Sequence, residues 1–376
     1  MKILFTGGGT GGHFYPLVAV ARKLRDIAEE EKLVSVELIF IGDKAFDQDL
    51  LNFEEVRFIQ LNSGKIRNYA SSQNFFDYFR TGIAVIKALW ILYMEFPDVV
   101  FSKGGYISFP VLFAARFYNI PVIIHESDAV PGKVNKWAGK FAKRIAISFP
   151  EVAQYFPEGK VALTGTPIRT QILGGNKDEA LELFRFRGDV PTVLVLGGSQ
   201  GARAINNVIL QALPQLLEKI QVIHQTGLEL NKEVLSESSV IVNSPELKER
   251  YRVYPFLDED KLRNASRIAS LVVSRAGGNA IFEIASWATP SILIPLPLAA
   301  QNHQRENAYS YARAGGCEVI EEANLTPNVL AFQIFRLIED KEKVESMRRG
   351  AQKFSKLDAA ESIAREIILL GLHQIT

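Results

Sequence analysis

Short apolar runs rich in Val, Ile and Phe alternate along the chain with segments whose apolar residues recur every three to four positions. Runs of the first kind fit strands buried on both faces of a parallel sheet, and segments of the second kind fit the connecting helices. In the first half the pattern predicts strands at 3–6, 37–41, 56–60, 99–102, 122–125, 145–148 and 161–164, and a helix at 16–25 with Pro16 near its first turn. In the second half it predicts strands at 192–196, 221–224, 240–242, 252–255, 271–274 and 291–294, and helices at 202–217, 278–287, 303–314 and 327–339. This alternation is α/β architecture. Gly165-Thr166-Pro167-Ile168-Arg169 and the following Gly174-Gly175-Asn176-Lys177 break the pattern most clearly. The chain therefore divides into domains at 1–165 and 166–356. An amphipathic helix within 357–376 has no strand after it and is a candidate to cross back to the first domain.

Composition narrows the class. A length of 376 residues suits two domains of roughly 150–200 residues. Hydrophobic residues make up 47% and charged residues 23%, the balance of a packed globular protein, and a net charge of +1 gives no bulk attraction for nucleic acid. Cys317 is the only cysteine, which leaves no internal disulfide and no cysteine metal cluster. No grouping of His and Cys marks a metal, so neither a metal nor another cofactor is expected. Met1–Thr6 reads as a strand and not as a leader. No apolar run reaches the ~18–20 residues that span a bilayer, and the nearest, 83–94, is broken by Lys87. These features predict a cytoplasmic protein.

Four Gly-rich turns join strands to helices: Gly7-Gly8-Gly9-Thr10-Gly11-Gly12-His13, Lys103-Gly104-Gly105-Tyr106, Gly197-Gly198-Ser199-Gln200-Gly201-Ala202 and Ser274-Arg275-Ala276-Gly277-Gly278-Asn279. Glycine lets the backbone approach a phosphate closely, and the free amides and dipole of a helix N-terminus attract the anion. One such turn serves close helix–sheet packing equally well. Four of them at carboxyl ends of strands mark the edge where open α/β sheets bind ligands. Gly7, Gly9 and Gly12 also satisfy G-x-G-x-x-G, which keeps a nicotinamide oxidoreductase open, although Asp43 lies about 30 residues beyond the glycines where about 20 is usual.

The ordered set of motifs resembles the bacterial peptidoglycan glycosyltransferases that convert lipid I to lipid II. It comprises Gly8–His13, Gly104-Gly105-Tyr106, His125-Glu126, Gly165-x-Pro167-x-Arg169, Gly197–Ala202, Arg275-x-Gly277, Glu283-Ile284 and Gln304-x-x-Asn307-Ala308, over nearly the whole chain. Two positions depart from the family pattern: Ser127-Asp128 stand where Gln-Asn is common, and Thr166 where Asn is frequent. The resemblance implies the glycosyltransferase-B fold, with two Rossmann-like domains whose parallel sheets face a central cleft. It implies inverting transfer of N-acetylglucosamine from UDP-N-acetylglucosamine to the 4-hydroxyl of lipid I, with lipid II and UDP as products for peptidoglycan synthesis. Another nucleotide-sugar enzyme of that fold, such as a glycolipid transferase or a UDP-sugar 2-epimerase, stays open beside it.

Site residues follow from the same resemblance. The donor diphosphate is expected on Gly198, Ser199, Gln200 and the helix N-terminus of Gly277, Gly278, Asn279 and Ala280, with Arg169 as a further cation. Glu283 is expected to meet the ribose, the Leu257 backbone the uracil, and Gln304 with Asn307 the sugar hydroxyls. In the first domain Thr10, Gly11 and Gly12 are expected on the acceptor diphosphate or the donor sugar, with Gly104, Gly105 and Tyr106 nearby. An imidazole titrating near neutrality suits a general base, which favours His13. Glu126 and Asp128 are the competing bases, and His125 is a positioning residue.

A lipid acceptor requires contact with a bilayer. Phe75, Phe79, Ile83, Ile86 and Trp90 form one helical stripe, a pattern that is usually core, and Phe76, Leu89 and Tyr93 widen it. Lys65, Arg67, Arg80, Lys87, Lys136, Lys140, Lys143 and Arg144 supply cations around it. An apolar patch ringed by cations suits an anionic membrane surface. The expected location is peripheral, on the cytoplasmic face of the inner membrane, with other cell-wall synthesis proteins as candidate partners.

Overall fold

A computed structural model describes residues 1–8, 11–33, 35–64, 72–198, 201–297 and 302–372, with the backbone alone at 72–76. Met1–Arg169 and the segment from Lys356 onward form one compact unit, and Thr170–Ser355 form the other. The first unit holds a parallel sheet of β1 (Lys2–Thr6), β2 (Glu37–Gly42), β3 (Val56–Gln60), β4 (Val99–Ser102), β5 (Val122–Glu126), β6 (Arg144–Ile147) and β7 (Val161–Leu163), in the order β3-β2-β1-β4-β5-β6-β7. Its connecting helices are α1 (Gly11–Glu30), α2 (Gln48–Phe53), α3 (Ser72–Glu95), α4 (Ser108–Phe117) and α5 (Lys133–Ala138).

The second unit repeats the scheme with β8 (Thr192–Leu196), β9 (Gln221–Gln225), β10 (Tyr251–Tyr254), β11 (Ala269–Ser274), β12 (Ser291–Leu293) and β13 (Cys317–Val319), in the order β10-β9-β8-β11-β12-β13. Its helices are α6 (Lys177–Phe184), α7 (Arg203–Lys219), α8 (Asn231–Ile241), α9 (Pro245–Lys248), α10 (Glu259–Ile268), α11 (Gly278–Ser286), α12 (His303–Arg313), α13 (Pro327–Glu339) and α14 (Lys341–Phe354). Strand order reverses direction between β1 and β4 in one sheet and between β8 and β11 in the other. Such a reversal leaves a crevice at the carboxyl ends of the two central strands. The four Gly-rich turns follow β1, β4, β8 and β11, so each sheet carries two of them at its crevice.

All five residues of β8 are buried, as a strand covered on both faces requires. The last helix, α15 (Ala359–Leu372), belongs to the first unit, where Ile363, Ala364, Ile367 and Ile368 join the core built on Leu24 and Ile27 of α1. Each buried isoleucine stabilises that contact by roughly 1.5–3 kcal/mol. Arg144 pairs with Glu366 at 2.6 Å and Arg365 with Glu31 at 3.2 Å, which fixes the register of the helix.

Two local expectations about strands are corrected. Residues 240–242 are not a strand: they end α8, whose buried Val234 and Ser238 lie four apart on one face while Val240 is 77% exposed. The strand β13 has only three residues after Gly315-Gly316, too few to show a period, and the pattern missed it. The stripe on α3 is not core. Ala84, Ala88 and Leu92 face inward, whereas Phe79, Ile86 and Trp90 are 70%, 69% and 65% exposed. Small residues on the inner face let α3 pack closely, and the large ones are left outside. Among the described residues no helix is long and apolar enough to cross a membrane.

Candidate functional site

In the first unit, the crevice between β1 and β4 gathers most of the expected residues. Lys103 accepts its place in the sheet by donating its backbone N–H to Thr6 O at 2.9 Å, and the chain then turns through Gly104 and Gly105 with φ of 76° and 88°. A Cβ on Gly105 would lie 3.2 Å from Gly8 N and 3.7 Å from His13 Nε2, so only glycine lets the two loops and the imidazole come together. Tyr106 closes the turn by donating its hydroxyl to Asp43 Oδ2 at 2.5 Å. Gly11 and Gly12 open α1, and His13 stands half-buried on its first turn. Thr10 lies outside the described residues.

Electrostatics separates the two expected bases. Desolvation, then the Lys103 ammonium, lower the His13 imidazole to about 4, against the smaller upward pull of Asp128 and Asp43. His13 is therefore neutral at physiological pH, with a nitrogen able to accept a proton. Glu126 differs from the expectation of a base. It is 4% exposed and both oxygens are taken: Oε1 accepts from Asp128 N at 3.1 Å, and Oε2 from Gly132 N and Asn135 Nδ2, both at 2.9 Å. Burial, then the Asp128 carboxylate, raise it above the usual carboxylate range. Its place is that of a brace for the loop after β5. Asp128 is half-buried on that same loop.

His125 is fully buried. Its Nδ1 lies 2.8 Å from Lys103 Nζ and its Nε2 2.9 Å from Gly165 O. Arg169, the last residue of the first unit, is 4% exposed and stacks its guanidinium on the Tyr15 ring at 3.8 Å. Sequence reasoning passed over Lys103 and Asn135. The only signal for the first was a lysine inside a Gly-rich turn at a strand end, and the second carries no motif.

The second unit presents the other pair of turns. Gly197 N donates to Gln225 O at 3.0 Å, and Gly201 adopts φ 82°. Ser199 and Gln200 lie outside the described residues, while Gly198 is exposed beside them. Gln225, also unforeseen, accepts the Leu257 N–H on its Oε1 at 3.0 Å and so holds the segment after β10. Gly277 caps α11, with Gly278, Asn279 and Ala280 in its first turn and Glu283 half-buried one turn on. Gln304 accepts Leu296 N–H at 3.1 Å. Asn307 departs from the expected sugar contact: it is fully buried and donates to Ala276 O at 3.1 Å, which supports the turn after β11 from behind. Among the described residues no cluster of His, Cys, Asp and Glu is arranged to hold a metal ion.

Models of the glycosyltransferase family 28 N-terminal and C-terminal domains match residues 3–147 and 192–363. Relatives named UDP-N-acetylglucosamine--N-acetylmuramyl-(pentapeptide) pyrophosphoryl-undecaprenol N-acetylglucosamine transferase resemble the chain throughout. The one from Lachnospira eligens is 37% identical, covering 94% of this chain and 96% of its own. The one from Clostridium perfringens strain 13 is 35% identical over 99% of both. The crystal structure of Acinetobacter baumannii MurG superposes with a TM-score of 0.73 at 25% identity, covering 98% of this chain and 99% of that one. A UDP-N-acetylglucosamine 2-epimerase from Listeria monocytogenes, at a TM-score of 0.69 and 14% identity, shares the fold alone.

Proposed function

The chain belongs to glycosyltransferase family 28, and from that membership we propose that it transfers N-acetylglucosamine from UDP-N-acetylglucosamine to N-acetylmuramyl-(pentapeptide) pyrophosphoryl-undecaprenol. The observation that carries this reading is the near full-length similarity to relatives of that one name. The second unit takes the donor. Amides of the Gly197–Gly201 turn and the α11 N-terminus hold the UDP diphosphate, and Arg169 is a further cation for the substrates. Glu283 meets the ribose, the Leu257 backbone the uracil, and Gln304 the sugar. Preorganised amides oppose the charge that builds on UDP as the glycosidic bond breaks.

The first unit takes the acceptor, with Gly11, Gly12, Gly104, Gly105, Tyr106 and Asp128 around it. The acceptor 4-hydroxyl oxygen attacks C1 of N-acetylglucosamine, the C1–O bond to UDP breaks with its electron pair leaving on UDP, and the hydroxyl proton passes to His13. The product is a β-1,4 link with inverted configuration. The negative charge of bound diphosphates raises the basicity of His13 and so favours proton transfer to it. Labelled UDP-N-acetylglucosamine mixed with a lipid I analogue tests the proposal. Label in the lipid supports it, whereas label that stays in nucleotide sugar, including its 2-epimer, refutes it.

The outer face of α3 supports docking on an anionic membrane as a peripheral protein at the cytoplasmic surface. Phe79, Ile86, Trp90 and Tyr93 are exposed, with Arg80 and Lys87 between them and exposed Lys136, Lys140, Lys143 and Arg144 in the same unit. Lys65, Arg67 and the side chains of Phe75 and Phe76 lie outside the described residues. Burying one such side chain contributes roughly 1.5–3 kcal/mol. Flotation with anionic liposomes should therefore show binding that weakens at least about tenfold in Ile86→Ser/Trp90→Ser. Unchanged binding would remove α3 from the interface.

A further inference from the structure

We propose that Lys103 is a positioning residue of the transfer site, an assignment that rests on the reading above: its ammonium, hydrogen-bonded to His125 Nδ1, keeps that ring aimed through Nε2 at Gly165 and so fixes the turn that carries Arg169. The Gly165 carbonyl can only accept, so His125 Nε2 carries the proton and Nδ1 is a bare acceptor. Lys103 Nζ supplies the donor that Nδ1 needs, at 2.8 Å. Ser148 Oγ lies 3.2 Å from His125 Nε2 and 2.6 Å from Thr166 Oγ1, and Thr166 is fully buried. One polar chain thus runs from the end of β4, past the ends of β5 and β6, to the turn after β7. Ile168, 7% exposed, anchors that turn one residue before Arg169.

Packing alone does not account for a lysine here. The side chain is 2% exposed, and its one hydrogen bond among the described residues goes to an imidazole, not to a carboxylate. Burying an ammonium without an ion-pair partner in contact is costly, and a methionine would fill the volume without that cost. Charged and titratable groups face it from two elements: His13 on α1, and His125, Glu126 and Asp128 at and after the end of β5. Burial is the larger cause that lowers both imidazoles, and the Lys103 charge lowers them further. Burial in turn lowers the ammonium to about 8, so its charge is present below that pH and is lost above it.

Lipid-linked transfer measured from pH 5 to 9 separates this role from mere support of the fold. Wild type is expected to lose kcat/KM above about pH 8, where the Lys103 charge disappears. Lys103→Met is expected to lower kcat by about 10- to 100-fold and to move the acid decline to higher pH than in wild type, because both rings lose the Lys103 charge while burial still lowers them. Lys103→Arg, which does not titrate, should restore kcat and abolish the alkaline decline. Long-range nitrogen–proton NMR of the histidine rings gives an activity-independent reading. His125 should be neutral with its proton on Nε2 in wild type at pH 6, and should take a second proton at higher pH in Lys103→Met than in wild type.

A Lys103→Met enzyme with wild-type kcat/KM and pH profile overturns the proposal. So does equal loss in the Met and Arg variants at every pH with an unchanged His125 spectrum. Should Lys103→Met fail to fold, the wild-type spectrum decides, since a His125 that titrates near ~6.5 is not held neutral. Wild-type protein that makes no lipid product refutes the proposed function instead, and the His125 spectrum still tests its coupling to Lys103.

Discussion

Gly201→Ala is expected to weaken UDP-N-acetylglucosamine binding by about 10²-fold while the protein stays folded. Gly201 has φ 82°, and a Cβ there would lie 2.4 Å from Thr226 O and 2.9 Å from Leu230 Cδ1. Left-handed backbone and a clash with a carbonyl together cost roughly 3 kcal/mol, which the variant avoids by moving the loop. Binding must then restore the strained arrangement, and about 1.4 kcal/mol corresponds to each tenfold loss. Gly197, whose N–H is held by Gln225 O, stays anchored, so the damage is confined to the phosphate turn. Calorimetric titration with UDP-N-acetylglucosamine, beside a thermal melt, reads the effect. Wild-type affinity in a stable variant would detach this turn from the donor.

His13→Ala is expected to lower kcat of transfer by about 10²–10⁴-fold, the range for loss of a positioned base, with UDP-N-acetylglucosamine affinity nearly unchanged. The pH profile carries the sign. An imidazole lowered to about 4 keeps its accepting nitrogen bare at every pH above that value. Wild-type kcat/KM should thus show no decline from His13 between pH 7 and 5, and decline only as the pH approaches 4. Turnover near normal in His13→Ala would return the base to Asp128, since the Glu126 oxygens are committed to Asp128 N, Gly132 N and Asn135.

Much of the fold was legible because a strand covered on both faces needs an unbroken apolar run, and 3–6, 99–102 and 192–196 each show one. The turns were legible for a related reason: clustered glycines between a strand and a helix have few other uses. Strand order was not, since every parallel run reads alike whatever its neighbour. The α3 stripe was ambiguous between core and surface because periodicity reports that one face is apolar without saying which face meets the core. There, two alanines and a leucine four apart mark the inner side. In the site, residue type was readable and commitment was not. Glu126 and Asn307 carry the right chemistry for a base or a sugar contact, yet the Glu126 oxygens accept from Asp128 N, Gly132 N and Asn135 Nδ2, and Asn307 Nδ2 donates to Ala276 O. Lys103 is the opposite case, a residue without a motif whose meaning depends on burial beside His125.

The return of α15 to the first unit has a consequence during synthesis. The face of α1 that takes Ile363, Ile367 and Ile368 is synthesised before the second unit, and its cover only after it. The second unit, continuous from Thr170 to Ser355, has all its strands in hand before that happens. The apolar strip on α1 therefore stays unsealed while the whole second unit is made, and it is closed only by a helix that follows that unit in the chain.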